Sequence, residues 1–180
     1  IPNLNVFRPA DRMETIECWE QALKNSKTPS VLSLTRQNLN PFRKKYSNIN
    51  KCSFGAYEVL RTNKKINLTI LASGSEVNLA IETSHKLAKD KIYSKVISMP
   101  CQELFDQQSE SYRKKILGES EIKISIEAAS TDCWKKYISS EGLTFGIDTF
   151  GKSAPYKDIY KHFGLTATNI AKKTKKMIRN

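Results

Sequence analysis

The chain has 180 residues, of which 39% are hydrophobic and 27% charged, and its formal net charge is +12. This composition suits one folded domain, or one domain with part of another, and excludes a disordered chain; no run approaches the roughly eighteen uninterrupted apolar residues of a membrane span, so no membrane partner is expected. The charge raises nucleic acid as a partner, yet apart from Lys172-Lys173-Thr174-Lys175-Lys176 the lysines lie in scattered pairs without a glycine-rich or aromatic-interleaved motif, which reads as a solvated surface and not a nucleic-acid site.

The chain opens on Ile1, and Ile1-Pro-Asn-Leu-Asn-Val-Phe7 reads as polypeptide already inside a domain, so a piece of a longer protein is expected. Val6-Phe7-Arg8 is a short extended stretch stopped by Pro9. Asp11 with Glu14 three residues on is an acidic variant of the capping box, and a helix should run from there to about Asn25. Ile16, Trp19 and Leu23, with Met13, recur at three- and four-residue steps and predict one buried apolar face. After Pro29 a strand is expected over 30–34, which completes a strand–helix–strand crossover of a parallel sheet. Residues 37–54 are nearly all polar, and 41–54 is the expected linker between two domains.

Beyond the linker the alternation is regular. Strands are predicted over 55–60, 68–72, 95–99, 123–127 and 143–147, and helices over 76–89, within 103–117, and over 131–137, 155–163 and 166–178. Leu68-Thr-Ile-Leu-Ala72 is a continuous apolar run of the kind that buried parallel strands show. Gly164 fits the stop of one closing helix and Thr166 the N-cap of the next. The predicted fold is α/β: a layered, mostly parallel sheet flanked by helices over 55–180, preceded over 1–40 by a strand–helix–strand remnant of a second α/β domain.

Four stretches carry candidate chemistry. Ser73-Gly-Ser-Glu76 lies at a strand-to-helix turn, where helix-start amides suit an anion. It lacks GxGxxG spacing and a Walker lysine, and a tight turn at Gly74 with Ser75 as helix cap is the other reading. Glu127-Ala-Ala-Ser-Thr-Asp132 ends a strand with an acid and hydroxyls, a position that often carries sites in open α/β sheets. No nucleophile–base pair can be built there, because neither His85 nor His162 is near in sequence. Gly146-Ile-Asp-Thr-Phe-Gly-Lys-Ser-Ala-Pro155 is a glycine-bearing loop in which Asp148 is placed to cap, turn or pair and Phe150 to anchor an interface. Arg36, in Leu34-Thr-Arg-Gln-Asn38, stands at the C-terminal end of a parallel strand, where ligands of such sheets gather. Its guanidinium suits a two-pronged grip on phosphate or carboxylate; an internal salt bridge is the competing reading. Cys18, Cys52, Cys101 and Cys133 form no CxxC pair and the two histidines are isolated, so no metal site is expected, and the thiols should be reduced, as in a cytosolic protein.

Read in order, Asn5-Val-Phe-Arg-Pro-Ala-Asp11, Leu34-Thr-Arg-Gln-Asn-Leu39, Ala72-Ser-Gly-Ser-Glu-Val77, Val96-Ile-Ser-Met-Pro-Cys-Gln-Glu-Leu-Phe-Asp106, the loop 146–155 and Tyr160-Lys-His-Phe-Gly164 closely resemble the C-terminal third of transketolase. The similarity covers nearly the whole chain in the family's order. It implies a thiamine diphosphate enzyme with a divalent metal (Mg2+ or Ca2+) that moves a two-carbon ketol unit from a ketose phosphate to an aldose phosphate. It also implies a place in the pentose phosphate pathway and a cytoplasmic homodimer. By the same resemblance, residues 1–40 end the pyrimidine-binding domain, 55–180 form the C-terminal domain, and Arg36 binds the terminal phosphate of the sugar.

No residue here matches the family's activating glutamate, its aromatic cradle for the cofactor, its channel histidines or its metal ligands. No catalytic, cofactor-binding or metal residue is therefore assigned in this chain, and the stretch alone is expected to be inactive. Two departures bear on loops. Leu39-Asn-Pro41 replaces the usual Leu-Pro, followed by an unusually basic connection, and Thr149 stands where the family often carries arginine. The alternatives are deoxyxylulose phosphate synthase or a 2-oxoacid dehydrogenase β subunit, which share the C-terminal domain type, and a non-enzymatic module in which residues 73–76 and the basic tail hold a nucleotide or another anion.

Overall fold

The apolar run Leu68–Ala72 forms the central strand of a five-stranded sheet in the computed structural model, which describes residues 1–44, 47–118, 122–138 and 140–179. Across that sheet the strands lie in the order β3 (Tyr57–Leu60), β5 (Ser94–Ser98), β4 (Leu68–Ala72), β6 (Lys123–Ile126) and β7 (Leu143–Phe145). β3 runs antiparallel to β5, and every other pair is parallel. β4 and β5 are buried at every residue. Both of their faces are covered, which is why β4 reads as a continuous apolar run and not as an alternation.

Successive side chains point to opposite faces of a strand, so each strand feeds two cores. Leu68, Ile70 and Ala72 meet Val77, Ala80 and Leu87 of α2 (Glu76–Lys89) and Ile170 and Ala171 of α6 (Ala167–Arg179). Leu71 and Ile97 meet Phe105 of α3 (Gln102–Asp106), Ile116 of α4 (Glu110–Leu117) and Trp134 of the 3-10 turn Thr131–Trp134. Between α5 (Tyr156–His162) and α6, Gly164 takes a left-handed φ of 72° and lets the chain reverse. The architecture is the layered, mostly parallel α/β sheet that the sequence predicts. Among the described residues no helix is long and apolar enough to cross a membrane.

The N-terminal unit is a parallel pair, β1 (Asn5–Phe7) and β2 (Ser30–Leu32), joined through α1 (Arg12–Lys24). β2 stops at Leu32, two residues short of the prediction. Asp11 caps α1 as expected, its Oδ1 accepting the Glu14 N–H at 2.9 Å. The buried face of α1 is not the predicted one. Ile16, Trp19 and Leu23 are 62%, 49% and 76% exposed, while Glu14, Glu17 and Cys18 are buried.

The reason is polar satisfaction, because a buried carboxylate is tolerated only where donors surround it. Glu17 pairs with Arg43 at 2.5 Å and accepts the N–H groups of Lys51 (2.9 Å) and Cys52 (3.1 Å). Burial is the largest single influence and pushes its carboxyl up, but the Arg43 guanidinium and the Cys52 N–H together outweigh it and hold the carboxyl below the usual carboxylate range. The expected linker 41–54 thus packs along α1; its residues 45 and 46 lie outside the described residues.

Glu14 binds α1 to the five-stranded sheet. It is fully buried and accepts from the Ala10 N–H (2.7 Å) and from the hydroxyls of Tyr57 (2.6 Å) and Ser98 (2.6 Å). Burial pushes its carboxyl up to about 7 and outweighs those three donors. Below the unfolded value near 4.5, Glu14 is protonated both folded and unfolded, and its contribution to stability is fully present. As pH rises through about 7, the folded site must give up its proton, and the contribution is lost. Between pH 5 and pH 7 the loss should reach about 2 kcal/mol. Urea unfolding across that interval should show the slope in the native chain and a flatter profile in Glu14→Gln; an unchanged slope in the variant would assign the pH dependence elsewhere.

Candidate functional site

The strand order reverses between β4 and β6, since the chain leaves β4 for β5 on one side and places β6 and β7 on the other. The carboxyl ends of β4 and β6 flank that switch point, where open α/β sheets usually bind ligands. In this chain Arg8, one residue past β1, fills it. The Arg8 backbone is held from two sides, its N–H donating to the Pro100 carbonyl (2.8 Å) and its carbonyl accepting from the Gly74 N–H (2.9 Å). Its Nε lies 3.0 Å from Glu127 Oε1, an ion pair whose N–H is not aligned as a hydrogen bond, and a terminal nitrogen lies 3.6 Å from Glu76 Oε2.

Both carboxylates are tightly held. Glu127 accepts the Ser73 hydroxyl and the Trp134 indole N–H, each at 2.6 Å. Glu76, the first residue of α2, accepts the Ala128 N–H at 3.1 Å and the Ser75 hydroxyl at 2.6 Å. Its negative charge also suits the positive end of the helix. Glu76 and Glu127, one acid from each of the stretches 73–76 and 127–132, are therefore paired with the chain's own arginine. Ser75 does not cap α2; its hydroxyl turns to Glu76 instead. Asp148 takes the Thr131 N–H and hydroxyl, both at 2.8 Å, and these bonds hold its carboxyl below the usual range. Phe150, two residues on, is 96% exposed.

Arg36 follows β2. The Thr35 hydroxyl oxygen accepts the Gln37 N–H at 3.1 Å and bends the chain around it. The Arg36 side chain is exposed, and among the described residues it makes no ion pair and no hydrogen bond. An internal salt bridge, the competing sequence reading, is absent from that set. Next to it, Gln37 Nε2 donates to the Tyr160 hydroxyl oxygen at 3.3 Å, and Tyr160 donates in turn to Glu76 Oε1. Burial, then the neighbouring Glu76, pushes the Tyr160 phenol up to about 12, so it keeps its proton at neutral pH. Gln37, Tyr160, Glu76, Arg8 and Glu127 thus form one polar network across the C-terminal edge of the sheet. Sequence reading alone did not connect Gln37 with Tyr160. Each lies in a motif noted above, but 123 residues separate them and no periodicity links them.

Other reactive groups are quiet. All four cysteines are free. Cys133 borders a 350 Å³ cavity beside Arg8 and Glu103, but burial and then Glu127 push its thiol up to about 11, so it stays protonated and poorly nucleophilic. On the opposite edge of the sheet, Arg61, Lys64, Lys65, Lys114 and Lys115 line an open cleft. There the buried Lys95 ammonium donates to the Ile116 (2.6 Å) and Lys115 (3.3 Å) carbonyls at the end of α4, a helix-capping role. Among the described residues no group of three or more His, Cys, Asp or Glu is arranged to hold a metal ion. Among the described residues the donor set does not fit a metal-bound diphosphate.

Comparison with known proteins places this geometry in context. The Transketolase-like TK C-terminal domain family matches residues 55–166, and the transketolase pyrimidine binding domain family matches residues 1–41. A transketolase of Sinorhizobium medicae is 44% identical over 179 residues, which are 99% of this chain and 26% of that protein. The solved transketolase from Leishmania mexicana superposes with a TM-score of 0.89 at 39% identity, over 99% of this chain and 26% of that one. Pichia stipitis transketolase, solved in complex with sedoheptulose 7-phosphate, superposes with a TM-score of 0.89 at 36% identity, over 99% of this chain and 25% of that one. The chain spans about a quarter of the length of the curated relatives it matches.

Proposed function

Because this chain belongs to the transketolase family, we propose that it works as the C-terminal part of a transketolase, in which residues 1–40 close the pyrimidine-binding domain, 41–54 link, and 55–180 form the C-terminal domain. The reaction is transfer of a two-carbon ketol unit from a ketose phosphate to an aldose phosphate, in the pentose phosphate pathway of the cytoplasm, by a homodimer. Thiamine diphosphate and a divalent metal, Mg2+ or Ca2+, carry the carbon–carbon chemistry, and we assign their binding to polypeptide other than this chain.

The part of this chain in the reaction is substrate placement through Arg36. The observation that supports it is a guanidinium four residues past the parallel strand β2, exposed and without an ionic partner among the described residues, within a chain that follows the family's order. A guanidinium offers paired N–H donors in a fork that matches phosphate. Held on a sugar's terminal phosphate, it acts far from the reacting carbon, and the binding energy goes into orientation.

The complete gene product, supplied with thiamine diphosphate and Mg2+, should transfer the ketol unit between phosphorylated sugars and lose that activity when the cofactor is omitted. Decarboxylation of a 2-oxo acid, or condensation of pyruvate with an aldose phosphate, in place of ketol transfer would assign the chain to a related thiamine diphosphate enzyme instead.

A further inference from the structure

We propose that Tyr160 of α5 positions the loop that carries Arg36, so that the C-terminal domain sets the affinity for the substrate phosphate. The inference rests on the reading of Arg36 as the phosphate ligand. It starts from an asymmetry: among the described residues the Arg36 side chain has no ion pair or hydrogen bond, whereas its neighbour Gln37 is fixed at both ends, by the Thr35 hydroxyl oxygen on its backbone N–H and by Tyr160 on its side-chain amide.

The direction of each bond follows from the one before it. Glu76 is completely buried, and its carboxylate oxygens are taken by the Ala128 N–H, the Ser75 hydroxyl, Tyr160 and the nearby Arg8. A carboxylate can only accept, so the single Tyr160 proton is committed to it. The remaining lone pairs of the phenol oxygen are left to Gln37 and, at 3.5 Å, to the Ser75 hydroxyl, whose proton already goes to Glu76, so Gln37 must present its NH2 group. That leaves the glutamine amide one orientation and the loop one preferred conformation. The Tyr160 ring is itself steadied edge-to-face against Tyr156, with centroids 5.9 Å apart. A binding group held in place before the ligand arrives loses less freedom on binding. Among the described residues Arg36 has no ion pair or hydrogen bond of its own to supply that order, so its order comes from the residue beside it.

Three variants of the complete gene product test this: Tyr160→Phe, Gln37→Ala and Arg36→Ala, each assayed with a phosphorylated ketose donor and with hydroxypyruvate, which carries no phosphate. Tyr160→Phe removes the neutral bond from Gln37, which should raise KM for the phosphorylated donor about 5-fold with kcat and the hydroxypyruvate KM unchanged; its second bond, to Glu76, is lost as well and bears on the stability of the fold. Gln37→Ala should show the same split, and the double variant should be no worse than either single, because both act through one bond. Gln37 is only half-buried, so its variant reports even where removal of the phenol oxygen weakens the fold.

If Arg36→Ala is selective for the phosphorylated donor while the other two variants leave its KM unchanged, the positioning role is overturned and the phosphate reading stands. Equal losses on both donors in Tyr160→Phe, or additive losses in the double variant, also overturn it by marking the tyrosine as structural. If Arg36→Ala harms both donors equally, the phosphate reading itself falls and this inference falls with it.

Discussion

Arg36→Ala in the complete gene product should lower kcat/KM for phosphorylated sugars about 100- to 1000-fold and leave hydroxypyruvate within about 2-fold of the native value. The size follows from two charge-assisted hydrogen bonds to phosphate, together worth about 3–4 kcal/mol, at 1.36 kcal/mol per tenfold in rate. The selectivity follows from geometry. Arg36 is exposed and has no ionic partner among the described residues, so its removal strands no buried charge, and the fold should melt as before. Arg36→Lys should recover only part of the loss, since an ammonium keeps the charge but not the fork. An equal drop for the two donors, or a fall in melting temperature that tracks the loss of activity, would identify a structural arginine.

Gly55→Ala should cost the fold about 4 kcal/mol or more, a value reached only by severe core or backbone insults. Gly55 caps the 3-10 turn Lys51–Phe54 at a φ of 76°, a left-handed conformation that penalises any side chain. It also donates to the Cys52 carbonyl and accepts from the Cys101 N–H, which wedges it against the start of α3. A Cβ there would stand 2.1 Å from the Phe105 nitrogen and 2.5 Å from the Cys101 oxygen. Both are backbone atoms, so relief requires moving α3. Gly151→Ala, with nothing within 4 Å of the new Cβ, is the matched control and should change stability by no more than about 0.5 kcal/mol. Urea unfolding followed through the buried Trp134, which packs in the same cluster as Phe105, reads the difference. Coincident midpoints for the two variants would rule out the clash.

The five-stranded sheet was legible because its strands speak through burial on both faces. Leu68–Ala72 and the helix Glu76–Lys89 fall where the sequence predicts, with Ser73-Gly74 breaking the strand and Asp90 closing the helix. The orientation of α1 was not legible. Apolar periodicity pointed to Ile16, Trp19 and Leu23 as the inner face, but the inner face is chosen by Arg43, Tyr57, Ser98 and the amides of Lys51 and Cys52, which satisfy two glutamates. Donors brought from 26 to 84 residues away leave no mark on local spacing. The same holds at the site. Charge and a place shortly after a strand mark Arg36 as a candidate, whereas the destination of Glu76 and Glu127 depends on Arg8, and that of Gln37 on Tyr160, through contacts made only after folding.

The polar network joins Gln37 to Tyr160 and Tyr160 to Glu76 across sequence separations of 123 and 84 residues. A chimera spliced within 41–54 would therefore draw Gln37 and Arg8 from one parent and Glu76, Glu127 and Tyr160 from the other. Exchange of the two segments between relatives should keep the network whole only where the parents agree at those five positions, so they form a single unit of inheritance although they are scattered along the gene.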